Sequence, residues 1–180
     1  MDDIVKQALL KWPKVPACYG WLALDARGNW YLRDESAQAI GPFASLDRRS
    51  KGDLLNHEKL REFIGRNYEV EAGGCWFFQN GPQKVYVELE ATPWIWRVNP
   101  DFTLLAHTGV SASAQRCVLD EFGRVYMETN LGFGLVHSLD VGLAAEAIEA
   151  GLWVPQQLLA HDLPQRFGYV RRPQAVPREP

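Results

Sequence analysis

A short turn motif recurs three times along the chain and constrains the fold more than any other feature. It reads "DARGNWY" at 25–31, "EAGGCWF" at 71–77 and "DEFGRVY" at 120–126. Each copy has an acid, two variable residues, a glycine, one more residue, and then a bulky apolar residue followed by an aromatic. The repetition predicts a recurring unit of antiparallel sheet. Convergence on a common type of turn is the alternative.

The spacing within the motif is that of a three-residue β-hairpin loop. The acid accepts hydrogen bonds from the turn backbone, and the glycine adopts the left-handed conformation that a Cβ resists. Gly28, Gly74 and Gly123 hold the glycine position. Because residues opposite each other in an antiparallel pair share a face, the turn also predicts the register of each hairpin. One face is then apolar, and the other always carries an aromatic residue.

The second hairpin continues into the aromatic-rich stretch 74–97. Pro82 has no N–H to close a two-residue turn at Asn80-Gly81, so a four-residue loop over 80–83 is predicted. Because such a loop has an even length, residues with alternate numbers fall on opposite faces of the sheet along both strands. The residues predicted to face the core are Trp76, Phe78, Val85, Val87 and Leu89. The opposite face carries Phe77, Lys84, Tyr86, Glu88 and Glu90.

Helical periodicity predicts helices over 3–12, 57–66 and 141–150, with a shorter helix opening at Pro155. Together with the hairpins, this indicates an α+β fold. We expect antiparallel hairpin and meander sheets in two similar linked units, with helices packed on them.

The expected organisation is one compact domain with two sheet units. Residues 1–97 are predicted to form a helix, a hairpin and a three-stranded sheet, and 98–170 a second sheet unit with C-terminal helices. The remainder, 171–180, reads as a loose tail. Trp94 and Trp96 alternate on the strand 94–98, and a start after a proline is typical of an edge strand. A homodimer could form by strand addition there.

Charge and cysteine usage narrow the classes of function. A formal net charge of −3 argues against a general binder of nucleic acid or anionic membranes. Cys18, Cys75 and Cys117 are odd in number and far apart, which is typical of reduced thiols rather than a disulfide framework or a zinc site. No signal peptide and no membrane span is recognisable, so a cytoplasmic protein without a cofactor or metal is expected.

Several segments resemble known families. The start "KWPKVPACYGWLALDARGNW" and the end "FGYVRRP" resemble a family of small uncharacterised proteobacterial proteins. The middle, "GCWFF" through "VYVELEATP" to "METNLG", is distantly similar to another such family, which has repeated structural motifs and a link to signalling. The resemblance spans roughly 12–172. It implies two linked, similar sheet units with helices, and it carries over no catalytic residues.

Two carboxylates suggest a possible chemistry. Glu88 and Glu90 lie two apart on a predicted strand and project from one face, a spacing that suits paired carboxylate chemistry. A small-molecule enzyme would use one of them with a histidine brought close by folding. A solvated strand face, neutralised by Lys84, is the favoured interpretation because alternation alone produces such pairs.

The aromatic residues of the second face are the main candidates for binding. The candidate binding residues are Tyr31, Phe77, Lys84, Tyr86, Tyr126, Trp94 and Trp96. Such a sheet could stack nucleobases, but the acidic side chains on the same faces disfavour single-stranded nucleic acid. Burial of the aromatics beneath the helices is the other alternative. The leading hypothesis is a non-catalytic binding or signalling-type module for a protein partner or small ligand.

Overall fold

The three turn glycines adopt the left-handed backbone predicted for them. In the computed structural model, which describes residues 1–175, φ is +81° at Gly28, +78° at Gly74 and +74° at Gly123. The backbone N–H of Gly74 donates to Glu71 O at 2.9 Å, and that of Gly123 donates to Asp120 O at 3.1 Å. The recurring motif is therefore a recurring turn.

The predicted registers follow from these turns. Leu24 pairs with Trp30, Val70 with Trp76, and Leu119 with Val125, which places the expected residues on the expected faces of all three hairpins. The pairs are Leu22–Leu32, Ala23–Tyr31 and Leu24–Trp30; Tyr68–Phe78, Glu69–Phe77 and Val70–Trp76; and Arg116–Glu128, Cys117–Met127, Val118–Tyr126 and Leu119–Val125. The fold is α+β, as predicted, with two mixed sheets.

The chain divides into two compact units. The first unit comprises Met1–Asp25, Trp30–Glu90 and the described part of 170–180. The second unit comprises Ala26–Asn29 and Ala91–Tyr169. Residues 176–180, the end of the predicted tail, lie outside the described residues.

The first unit holds a six-stranded sheet, sheet A, and three α-helices. Its elements are α1 (Asp3–Lys11), β1 (Cys18–Leu24), β2 (Trp30–Leu32), α2 (Glu35–Ile40), β3 (Asp53–Leu54), α3 (Glu58–Arg66), β4 (Tyr68–Val70), β5 (Trp76–Asn80) and β6 (Gln83–Leu89). The strand order is β3-β2-β1-β6-β5-β4. All neighbours are antiparallel except β1 and β6, which run parallel.

The second unit holds a seven-stranded sheet, sheet B. Its elements are β7 (Trp94–Val98), β8 (Leu104–Ala106), β9 (Ser111–Ala112), β10 (Ala114–Leu119), β11 (Val125–Thr129), β12 (Gly132–Val136), α4 (Val141–Glu149), β13 (Pro155–Gln157) and α5 (Leu163–Arg166). The strand order is β13-β10-β11-β12-β7-β8-β9. The β7–β12 and β10–β13 pairs are parallel.

The prediction that 94–98 is an edge strand, the third strand of the first sheet, is wrong. Strand β7 lies inside sheet B, with β12 on one side and β8 on the other. Thr92 redirects the chain just before it, because its hydroxyl donates to Trp94 O at 2.7 Å and accepts from Leu135 N at 2.9 Å. With both edges paired, β7 offers no edge for a homodimer.

Two local predictions at prolines are also wrong. The loop between β5 and β6 has two residues, because Asn80 pairs with Gln83. Pro82 lies inside that turn, where its missing N–H is not needed. Pro155 opens strand β13 rather than a helix; β13 is an edge strand of sheet B, where a residue without an N–H is tolerated. Among residues 1–175, no helix is long and apolar enough to cross a membrane.

Candidate functional site

The aromatic side chains predicted for recognition on sheet A are enclosed. Phe77 and Tyr86 are cross-strand partners with exposed fractions of 5% and 7%. Tyr19 stacks on Tyr86 with ring centroids 4.5 Å apart. The Lys84 ammonium lies 4.5 Å from the centroid of the Phe77 ring. These contacts cover most of the surface that would meet a partner.

A tyrosine also lies close to the turn acid of each hairpin. Tyr126 donates to Asp120 at 2.9 Å, and burial, followed by the charge of Asp25, raises the pKa of the Tyr31 phenol. In the second hairpin the equivalent position holds Phe77, which has no hydroxyl. There the tyrosine comes from the next strand, and Tyr86 donates to Glu71 at 2.9 Å. Burial, followed by the hydrogen bond to the acid, raises the pKa of the Tyr86 and Tyr126 phenols.

Tyr31 and Tyr126 complete the set of aromatics predicted from the repeat. The half-buried Tyr31 lies against Phe43 with ring centroids 5.3 Å apart. Tyr126 is buried and stacks on Phe133, with 5.5 Å between centroids. Phe133 stacks in turn on Phe167. The aromatics of the second face thus pack against neighbouring side chains within their own units.

Trp94 and Trp96 are both buried in sheet B. Their rings stack 5.7 Å apart. The Trp94 indole N–H donates to Leu131 O at 2.9 Å, and that of Trp96 donates to Met127 O at 3.0 Å. Because each polar edge has a backbone partner, both indoles serve the packing of the second unit.

Glu88 and Glu90 differ in burial. Glu88 is buried, and one of its oxygens accepts from Phe43 N at 2.8 Å and pairs with Arg33 at 3.0 Å. Its other oxygen lies 3.4 Å from Arg172. Glu90 is half-buried and pairs with Lys51 at 2.7 Å. The contacts of Glu88 are those of a structural ion pair.

The four histidines are dispersed, and the nitrogens of three accept from the backbone. Nδ1 of His57 accepts from Leu60, that of His107 from Ile95, and that of His137 from Leu139. Among residues 1–175, no cluster of three histidines, cysteines or acids could hold a metal ion.

His107 makes the second unit sensitive to acid. The residue is half-buried, but its Nε2 has no exposed surface, and burial lowers the pKa of the imidazole from 6.5 to about 3. The folded chain therefore excludes a proton that the unfolded chain binds below pH 6.5. We expect the free energy of unfolding to fall by about 1 kcal/mol per pH unit as the pH drops from 6.5 to 5. His107→Gln should flatten this slope in urea titrations, whereas the exposed His161→Gln should preserve it.

A cavity in the first unit is the main candidate site. It has a volume of about 370 Å³ and lies on the α3-facing side of sheet A. The apolar residues that line it are Trp21, Leu22, Leu32, Leu60, Ile64, Phe78 and Val85. The polar residues that line it are Arg33, Asp34, Asp53 and Asn80. Of the apolar set, Leu22, Ile64 and Phe78 are buried, whereas Trp21 and Leu32 are each 45% exposed.

Four strands and one helix supply the apolar lining of this cavity. Leu22 and Leu32 come from paired positions on β1 and β2, and Phe78 and Val85 from paired positions on β5 and β6. Helix α3 supplies Leu60 and Ile64, and Phe63 of the same helix meets Phe78 edge-on at 5.5 Å. The helix is thereby anchored on β5. The space of the cavity lies between Leu60 of the helix and the residues of β1 and β2.

Comparisons with known proteins place the chain in a family. The DUF2944 family model, described as "Protein of unknown function (DUF2946)", matches residues 1–174. The chain belongs to this family. A DUF1285 family protein from Silicibacter pomeroyi has a similar fold, with 14% identity, a TM-score of 0.50, and coverage of 77% of this chain and 74% of that one. A DUF1285 family protein from Shewanella baltica was also matched, with 14% identity, a TM-score of 0.47, and coverage of 70% of this chain and 91% of that one. No curated protein matches the chain.

Membership of DUF2944 agrees with the resemblance seen in the sequence to a family of small proteins of unknown function. The likeness to the DUF1285 protein supports the α+β fold of this family member.

Sequence reasoning missed the cavity. It assigned Phe78 and Val85 to the core but had no means of showing that space remains beside them. One signal was available: Asp34 precedes a helix-forming run, and its side chain caps α2 by accepting from Ala37 N at 2.8 Å. The cap places a carboxylate two positions after Leu32, among the polar residues that line the cavity.

Proposed function

We propose that this DUF2944 protein is a non-catalytic module that binds a small molecule in the cavity of its first unit. The observation that carries the proposal is the cavity itself. Its volume of about 370 Å³ falls within the range of roughly 300–1,000 Å³ typical of ligand pockets. An apolar lining with a few polar groups is also typical of such sites.

The exposed apolar residues at the cavity support this proposal. Leu32 and Trp21 keep much of their surface accessible, and both line the same space. A ligand that covered them would remove apolar surface from water, which contributes about 0.8 kcal/mol for each buried methylene group. The cavity offers accessible apolar surface, whereas Phe77 and Tyr86 offer little. We therefore prefer it to the aromatic face, whose recognition role stays a prediction.

A cytoplasmic location is part of the same proposal. The three cysteines are free thiols, and Cys117 is buried, a use of cysteine that suits a reducing compartment. A module that responds to a small ligand would also accord with the signalling role suggested by the resemblance in the middle of the chain.

Filling the cavity should weaken binding. We expect the neutral apolar dye N-phenyl-1-naphthylamine to gain fluorescence on binding, and Leu32→Trp to weaken that binding by about tenfold or more, because the larger side chain occupies the space. Leu54→Trp is the matched control. Leu54 lies on the adjacent strand with nearly the same exposed fraction, 46% against 45%, but it pairs with Tyr31 and points to the other face.

The comparison between the two tryptophan variants decides the outcome. Circular dichroism establishes first that both fold. Equal loss of dye binding in both would indicate a general effect of surface tryptophan. Undiminished binding in Leu32→Trp, or no binding by the unmodified chain, would exclude the cavity as the site.

A further inference from the structure

We propose that the ligand of this cavity is an amphipathic cation: an apolar body that enters the cavity, joined to a positively charged group that stays at its mouth. This inference rests on the proposed function, and it adds the chemical class of the ligand. It follows from the sign of the charges that line the cavity and from what each of those charges already contacts.

Two carboxylates flank Leu32, which is one of the exposed apolar residues of the cavity. Asp53 on β3 is the cross-strand partner of Leu32, and Asp34 follows it by two positions along the chain. Both acids line the cavity and both are exposed. Negative charge is therefore concentrated where a ligand inserted against Leu32 would leave the cavity.

Asp34 stays ionised at neutral pH. The hydrogen bonds from Ala37 N and from the Ser36 hydroxyl lower the pKa of its carboxyl. Those donors are a backbone amide and a hydroxyl, so they stabilise the carboxylate without neutralising its charge.

Arg33 is the one cation among the described residues that line the cavity, and its charge is used elsewhere. Its side chain is 1% exposed and pairs with Glu88 at 3.0 Å. The same guanidinium donates to four backbone oxygens. The acceptors are those of Gly20, Ala37, Gly41 and Ser50. An anionic ligand would thus meet Asp34 and Asp53 without a cation to offset them.

The charges that line the cavity therefore predict different affinities for three ligands that have the same apolar chain and differ in their head group. Octylammonium would gain from both carboxylates, octan-1-ol would gain only from burial of its chain, and octanoate would be repelled. The interaction of the ligand's charge with each exposed carboxylate, Asp34 or Asp53, contributes modestly. Because both carboxylates attract the cation and repel the anion, we expect octylammonium to bind about tenfold more tightly than octanoate.

The test is displacement of N-phenyl-1-naphthylamine by the three compounds at pH 7 and low ionic strength, followed by calorimetry of direct binding. We expect the order octylammonium, octan-1-ol, octanoate from tightest to weakest. Added salt should reduce the differences in affinity among the three compounds, because it screens exposed charges.

Charge-neutralising variants assign the preference to these residues. Asp53→Asn and Asp34→Asn should each reduce the preference for octylammonium over octanoate about threefold and leave octan-1-ol unchanged. Asparagine is also a good helix cap, so Asp34→Asn retains the start of α2. Glu62→Gln, an exposed change on α3 outside the cavity lining, is the control and should alter nothing.

The outcomes distinguish the two proposals. If the dye does not bind, the proposed function fails. If octan-1-ol binds but octanoate competes as well as octylammonium, the cavity is a binding site and the inference of a cationic ligand is wrong. A preference for octylammonium that survives in the Asp34→Asn/Asp53→Asn double variant would also overturn it.

Discussion

Gly134→Ala is expected to lower the free energy of unfolding of the second unit by about 3 kcal/mol. Gly134 lies in β12, directly opposite Trp94 of β7. A Cβ at this position would lie 2.6 Å from the Trp94 carbonyl oxygen and 2.7 Å from its Cβ, and it would also clash with the Trp96 indole nitrogen. Because one of these atoms belongs to the backbone, the strands must separate to make room.

Gly142→Ala is the matched control for that substitution. Gly142 lies in α4 of the same unit, and a Cβ built there meets no heavy atom within 4 Å beyond its chain neighbours and the backbone of its own helix. Alanine favours the helix, so the control is expected to be neutral or to stabilise by up to about 1 kcal/mol. Urea denaturation followed by tryptophan fluorescence measures both. A loss below about 1 kcal/mol for Gly134→Ala would contradict the close-packing argument.

Gly134 also illustrates what sequence reasoning could not reach. The segment "NLGFGLVH" invites an interpretation based on backbone freedom, and Gly132, with φ at +127°, fits it. Gly134 has no positive φ and is required for space. The side chains that occupy this space, those of Trp94 and Trp96, lie about 40 positions earlier in the chain. No local pattern signals their approach.

The features predicted correctly are local ones. A turn glycine such as Gly123 determines its own conformation and, through parity, the register of the strands on either side. The division of 74–89 into core and opposite faces followed from that parity alone. The pairing of β7 with β12 and of β1 with β6 depends on contacts distant in sequence, so 94–98 was assigned to the wrong sheet and to an edge.

The candidate site was the least predictable part. The aromatic residues were selected because they recur on one face of the predicted hairpins. Whether they are exposed depends on which other side chains cover them, and the repeat does not show this. Tyr86, for example, is covered by Tyr19 and bonded to Glu71. The cavity depends on the space between α3 and sheet A, a distance that hydrophobic patterning does not specify. Leu32 and Leu60 read as ordinary core residues in the sequence.

Glu88→Ala is expected to lower the free energy of unfolding of the first unit by about 3–5 kcal/mol. Removing the carboxylate leaves the guanidinium of Arg33, with a side chain only 1% exposed, without its buried counter-charge. It also removes the acceptor for the backbone N–H of Phe43. A buried charge stripped of its partner retains the full cost of leaving water, whereas the intact pair offsets that cost.

Glu90→Ala provides the comparison, because Glu90 lies two positions further along, on the same face as Glu88. It pairs with Lys51 at 2.7 Å, but both side chains keep about a quarter or more of their surface exposed, so water replaces the lost partner. We expect a loss of about 0–1 kcal/mol. Urea titrations of both variants at pH 7 measure the difference. Equal losses would show that burial of the Arg33–Glu88 pair has no special role in stability.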